Sequence, residues 1–225
     1  MDAKLIFPYE KTELLKWVAL ALMLGDHINK YLFNGYYEFL FNAGRICLPV
    51  FVFVLAANLS KATKPAYVRT IKRLFIFGVI SSVPYYYLGT DLPLNVLFTL
   101  LIIVCVVFLI EFKNYYAYAS AAFVFTAGSP FVEFGWSATA LGVTLFYLFK
   151  TGNKLLATLT LIALLSLYFT NGNHYALLAL PLIAFTPCFK VIPRFRWAFY
   201  AFYPVHLAAL LVIRIPMAAA GYLFF

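Results

Sequence analysis

The sequence predicts an all-α fold, a polytopic transmembrane helical bundle of about nine helices with a cytoplasmic N-terminus, on three observations. First, the 225 residues are 65% hydrophobic and only 11% charged, with a mean hydropathy of +0.92. A soluble domain carries about 25% charged residues, so a lone soluble domain, a disordered chain and a small disulfide scaffold are excluded. Second, long apolar runs alternate with short polar breaks, and a membrane helix needs roughly 20 such residues. Third, charge sorts between alternate breaks, as shown below. Strands of a membrane barrel would need apolar/polar alternation over about ten residues, and runs such as VLFTLLIIVCVVFLIEF have none.

The expected segments follow in order. Leu14–Phe33 precedes the Asn34-Gly35 break, and Ala43–Ser60 ends at the first basic loop. Thr70–Leu88 is entered through Arg69, Lys72 and Arg73, and Leu92–Ile110 follows Asp91. Tyr115–Phe131, Trp136–Phe149, Leu155–Thr170, Tyr175–Cys188 and Trp197–Ala219 complete the set. Several are shorter than a full span, and the fifth, sixth and eighth are the least defined. Aromatic clusters at Tyr36-Tyr37, Tyr85–Tyr87, Tyr115-Tyr116 and Trp197–Tyr203 mark segment ends, because amphipathic rings favour the headgroup level. The whole of 1–225 reads as a single integral-membrane domain. No room remains for a second, soluble catalytic domain, and no internal repeat of the transporter kind is visible.

The net charge of +9 suggests nucleic acid only until its placement is considered. Every Lys and Arg except Lys30, Arg45 and Arg214 falls in a break on the N-terminal side of the bundle, while Glu38, Asp91 and Glu133 fall in breaks on the far side. This is the positive-inside pattern; it puts the N-terminus in the cytoplasm and excludes nucleic acid as a partner. The first residues, MDAKLIFPYEKTE, carry three acids and do not resemble a removable signal peptide. Cys47, Cys105 and Cys188 lie far apart in apolar stretches without metal-ligand spacing, so they read as small core residues, and no metal is expected.

An ionisable group inside a span is costly unless it faces a partner or a cavity, which makes it a functional candidate. Four places qualify: Asp26-His27 in the far half of helix one, Gly44-Arg45 at the start of helix two, Asn95 at the start of helix four, and Tyr203 with His206 midway along helix nine. Adjacent helical residues point about 100° apart, so Asp26 and His27 face different neighbours, and Arg45 is the natural counter-ion for Asp26. A structural ion pair and a satisfied polar core remain the plain alternatives. His174 reads as a loop residue. On the cytoplasmic side, Asn58, Lys61, Lys64, Arg69, Lys72 and Arg73 suit an anionic donor or anionic lipid headgroups equally.

These residues give the chain a resemblance to the TraX family, membrane acetyltransferases known for N-acetylating the F-type conjugative pilin. The resemblance is carried by Leu22–Ile28 with Gly25-Asp26-His27, by Gly44-Arg45 with Pro49, by Asn58-Leu59-Ser60, by Arg73-Leu74, by Asn95–Phe98 and by Tyr203–Leu207. It implies transfer of an acetyl group from acetyl-CoA to an amine of a membrane-embedded or external acceptor, such as a pilin N-terminus, at a bacterial inner membrane. For that chemistry, residue type and depth in the membrane suit His27 as base oriented by Asp26 or another polar neighbour, and Arg45 or Asn95 at the oxyanion or acceptor. Tyr203 and His206 would complete the wall, with Arg73, Asn58 and Lys61 near the donor phosphates. Direct transfer and an acetyl-His27 intermediate are both open, as is an envelope-glycan hydroxyl as acceptor. A proton-coupled transporter and a non-catalytic partner in pilus or envelope assembly are the other classes.

The charge pattern is directly testable. Periplasmic-activity reporters fused within Lys61–Lys64 should be inactive and those fused at Asn171–Asn173 active; the reverse result overturns the orientation.

Overall fold

The computed structural model describes residues 8–89, 93–188 and 197–224. Lys4, Asp91, Lys190, Arg194 and Arg196, which contribute to the charge pattern, lie outside them. The described residues form eleven α-helices: α1 (Tyr9–Leu32), α2 (Glu38–Gly44), α3 (Cys47–Leu59), α4 (Lys64–Tyr87), α5 (Val96–Ile110), α6 (Tyr115–Phe123), α7 (Gly135–Thr151), α8 (Lys154–Ser166), α9 (Tyr168–Asn171), α10 (Ala179–Phe185) and α11 (Ala198–Ala219). Because α2 with α3 and α8 with α9 form near-continuous rods, they make nine helical segments among the described residues, and none of these residues forms a strand. The protein is an all-α membrane bundle. Glu38–Leu59, Lys154–Asn171 and Ala198–Ala219 are long and apolar enough to cross a membrane, while Val96–Ile110 and Tyr175–Phe185 are apolar but shorter.

Helix α3 is the axis. Leu48, Pro49, Val50, Val52, Phe53, Val54, Ala56, Ala57 and Leu59 are all buried, which is the behaviour of a helix apolar on every side. It packs on α1 and α7, with α10 and α5 touching it more lightly; α4 binds α5 and α11, and α8 covers α7. The outer helices turn apolar side chains outward: Phe75, Ile76, Val79 and Val83 on α4, Leu155 and Ile162 on α8, Val205, Val212 and Ile215 on α11. An apolar belt of this kind is expected where the solvent is hydrocarbon.

Several segment boundaries differ from those expected. Helix α1 begins at Tyr9, and Glu13, 2% exposed, pairs with Lys16. Helix α4 begins at Lys64, where Pro65 suits a helix start because no amide donor is lost there. The second segment begins at Glu38, which the sequence placed in a loop, and breaks at Arg45-Ile46. Arg45 therefore sits in a helix break and not at a helix entry. The fifth segment is α only to Phe123; a π turn (Val124–Gly128) and a 3-10 turn (Ser129–Phe131) follow, with Gly128 close against Ile102. Of the cysteines, Cys47 and Cys105 are partly buried, but Cys188 is exposed because it lies beyond the end of α10.

Helices α5 and α7 approach closely at a glycine. A Cβ at Gly142 would lie 2.5 Å from Ile103 Cγ2, and Ile103 is fully buried. Gly142→Ala should destabilise the bundle by about 1–3 kcal/mol through overpacking. Adding Ile103→Val should recover part of the loss, measured as thermal unfolding in detergent; an unchanged midpoint for the single variant would contradict this packing.

Candidate functional site

Two cavities lie along α1, one above the other. The far-side cavity, of ≈ 340 Å³, is lined by Asp26, His27, Asn29, Lys30, Gly44, Arg45, Cys47 and Glu133 among others. The second, of ≈ 160 Å³, is mostly apolar and is lined by Lys16, Leu20, Val54, Leu55, Asn58, Tyr200 and Tyr203 among others. Met23, Phe51 and Val96 line both, so they form a shared waist. From Lys16 to Lys30 the wall of α1 rises about 21 Å, most of the ~30 Å of a hydrocarbon core.

The two histidines meet at this depth. His27 Nδ1 lies 2.7 Å from His206 Nε2, with the rings near coplanar at 14°. His206 Nδ1 lies 2.9 Å from the Phe202 carbonyl oxygen. A carbonyl only accepts, so His206 Nδ1 carries the hydrogen. In a neutral imidazole the other nitrogen is then an acceptor, and His27 Nδ1 must donate to it. This chain of donors leaves the lone pair on His27 Nε2, which has no hydrogen-bond partner among the described residues. The arrangement makes His27 a base of defined direction. Tyr203 packs edge-on to both rings, at 6.1 Å from His27 and 5.3 Å from His206 between centroids. It is 3% exposed, and its buried hydroxyl lacks a hydrogen-bond partner. An unpaired buried hydroxyl is costly, and a site with a guest is a common reason to retain one.

Asp26 does not orient His27. It faces the other way, as adjacent helical residues must, and Oδ2 accepts from Arg45 Nη2 at 2.5 Å. Arg45 Nε donates to the Phe41 carbonyl at 3.1 Å, and the guanidinium lies 4.3 Å over the Phe41 ring. Gly44 is required for this approach, since a Cβ there would fall 2.5 Å from Asp26 Cβ and Cγ. The α1–α2 turn is held by Asn29, whose amide donates to the Tyr37 carbonyl and accepts from the Tyr37 amide, at 2.9 and 2.8 Å.

Asn95 stands outside the cavities. Its Oδ1 accepts from Leu97 N and caps α5, while Nδ2 donates to the Gly78 carbonyl and to Ser82 Oγ on α4. These bonds make it a clamp between helices, with no polar atom directed to a substrate. Arg73 stacks 4.3 Å from the Trp197 ring and 5.8 Å from that of Tyr200, to which it is also hydrogen-bonded. Asn58 lines the apolar cavity, and Lys61 is exposed in the turn after α3. His174 stacks on Tyr168, and Arg214 donates to the Leu88 carbonyl at 2.8 Å.

Glu133 was not expected at the site. Its backbone pairs with Leu94, its carbonyl accepts from Thr99 Oγ1 at 2.6 Å, and its Oε1 accepts from Tyr85 OH at 2.7 Å. The carboxylate also takes a bond from the Val96 amide, at the start of α5. Desolvation holds its affinity for a proton above the usual carboxylate range, against these bonds and the positive Lys30 and Arg45. Phe134 follows in the left-handed region at φ 63°, a strained conformation for a bulky residue. The available sequence signal was the apolar run Phe131-Val132-Glu133-Phe134-Gly135-Trp136, in which one acid sits in a connection too apolar for a water-exposed loop.

Among the described residues no group of three or more His, Cys, Asp and Glu is placed to hold a metal ion. Fold and site together define a helical membrane protein in which a hydrogen-bonded histidine pair stands at the wall of a polar cavity, through His27. Comparison with known proteins then gives the family. The model described as "TraX protein" matches residues 11–214, and the chain belongs to that family. The chain is similar to Protein TraX of Escherichia coli, 28% identical over 230 residues that cover 95% of this chain and 91% of that protein. No solved structure matches.

The Asp26–Arg45 pair can be separated from the chemistry. Asp26→Asn should lower stability by about 3 kcal/mol, since it leaves a charge unpaired, and Gly44→Ala should act in the same direction. Asp26→Leu with Arg45→Met should recover most of that stability in a detergent melt, and failure to recover would mean that the pair does more than neutralise itself.

Proposed function

We propose that the protein is an integral-membrane acetyltransferase that moves an acetyl group from acetyl-CoA to an amine on a membrane-embedded or external acceptor, such as the N-terminus of a pilin. Family membership supports the reading. The observation that carries it is the free Nε2 of His27, which lines the far-side cavity one helical turn from Met23 of the shared waist. Acyl transfer to an amine needs a base, a stabilised oxyanion and a site dry enough to suppress thioester hydrolysis. His27 Nε2 is the base and His206 is its positioning residue. The Tyr203 hydroxyl, unpartnered and buried, is placed to donate to the thioester carbonyl oxygen, a role in which Asn95 has no free donor.

The donor's thioester arm enters through the narrow apolar cavity from the cytoplasmic side of a bacterial inner membrane. Arg73, Lys61 and Asn58 stand at that end for the phosphates and polar groups of the donor. The acceptor enters the wider polar cavity from the far side. As the amine nitrogen bonds to the carbonyl carbon, His27 Nε2 takes a proton from that nitrogen. The C–S bond then breaks, and the same proton goes to the departing thiolate. One residue thus serves as base and acid, and the donor and acceptor never share an entrance.

His27→Ala should insert and fold while reducing transfer of radiolabelled acetyl from acetyl-CoA by at least about 100-fold. Tyr203→Phe should reduce it about tenfold or more. Undiminished transfer by the His27 variant would remove this mechanism.

A further inference from the structure

We infer that Glu133 is the acceptor-binding carboxylate of the far-side cavity, and that the group it selects is a cationic amine in preference to a hydroxyl. The fate of the bound amine rests on the acyl-transfer reading; its recognition does not.

Charge balance inside the cavity carries the argument. Asp26 and Arg45 neutralise one another at 2.5 Å, so neither offers a net charge to a guest. Glu133 forms no ion pair among the described residues, although it lines the same cavity. Its carboxylate is held by neutral donors only, Tyr85 OH and the Val96 amide. A carboxylate has about four acceptor directions, which leaves capacity toward the cavity. The other cation there, Lys30, is exposed and directs its ammonium 5.0 Å from the centre of its neighbour Tyr31. Withdrawing a carboxylate from water with no cation at ion-pair distance is costly, and the chain nonetheless holds this one rigidly. Its backbone is pinned to Leu94 and Thr99, and Phe134 is strained immediately after it. A guest with N–H donors and a positive charge completes the site; a hydroxyl supplies one donor and no charge.

Proton accounting agrees with this placement. An alkylammonium must lose two protons to become an amide. Glu133 takes the first, giving a carboxylic acid and a free amine, and later releases it to water at the cavity mouth. The second leaves the nitrogen as it attacks the thioester, passing through His27 to the thiolate. No other reactant is needed.

The test uses the full-length protein in detergent, titrated with hexylammonium and with hexan-1-ol after subtraction of binding to empty micelles. The wild type should prefer hexylammonium by at least about tenfold. Glu133→Gln, which still accepts from Tyr85 and Val96, should abolish that preference. Tyr85→Phe and Glu133→Asp keep the charge and should retain the preference. A preference that survives Glu133→Gln overturns the assignment, as does its loss in Tyr85→Phe and Glu133→Asp to the same extent. Acetylation of hexylamine by acetyl-CoA is measured in parallel. Selective binding without any transfer would retain Glu133 as an amine site and reject the acyltransferase reading.

Discussion

A polar group withdrawn from water costs several kcal/mol unless it is bonded, and an isolated charge costs more. In a chain with so few charged residues, that constraint shapes everything built around the apolar axis of α3. Asp26 can be inside because α2 approaches closely enough at Gly44 for Arg45 to reach it. Asn95 can be inside because its amide is engaged by α4 and by its own helix. His206 can be inside because one nitrogen meets the carbonyl of Phe202 and the other meets His27. Each bond also fixes a helix position, so polar satisfaction and architecture are one problem here.

Seen this way, the incompletely satisfied groups are informative. His27, with its free Nε2, and Glu133 line the far-side cavity, and Tyr203, with its unpartnered hydroxyl, lines the apolar cavity that shares its waist. They supply a lone pair, a donor and a negative charge, which are complementary requirements for handling an amine and a carbonyl. Other polar groups serve to tie helices together. Glu111 with Lys150 and Tyr147 links α5 and α7, and Arg214 ties α11 to the end of α4.

The waist also separates two chemical environments. Below it, the cavity is narrow and apolar, suited to a long neutral arm; above it, the wall is polar and closer to the far face. Met23, Phe51 and Val96 come from three different helices, so the aperture depends on the packing of α1, α3 and α5 together. Helix α1 runs past both chambers, which makes it the element that relates their geometries.

The sequence by itself determined the helical class, the number of helical segments and the small set of polar residues inside them, because hydrophobic periodicity and intramembrane cost are local properties. It also determined that Asp26 and His27 must point apart, because helical geometry forbids otherwise. Tertiary structure decided the partners. His27 and His206 are 179 residues apart, and no local pattern couples them. Glu133 reads as a far-side loop acid until Leu94, Thr99 and Tyr85 draw it to the cavity, and Asn95 reads as a site residue until Gly78 and Ser82 engage its amide. Hydrogen bonds depend on distance and direction across the bundle. Sequence therefore shows which groups must find partners, and packing alone chooses them.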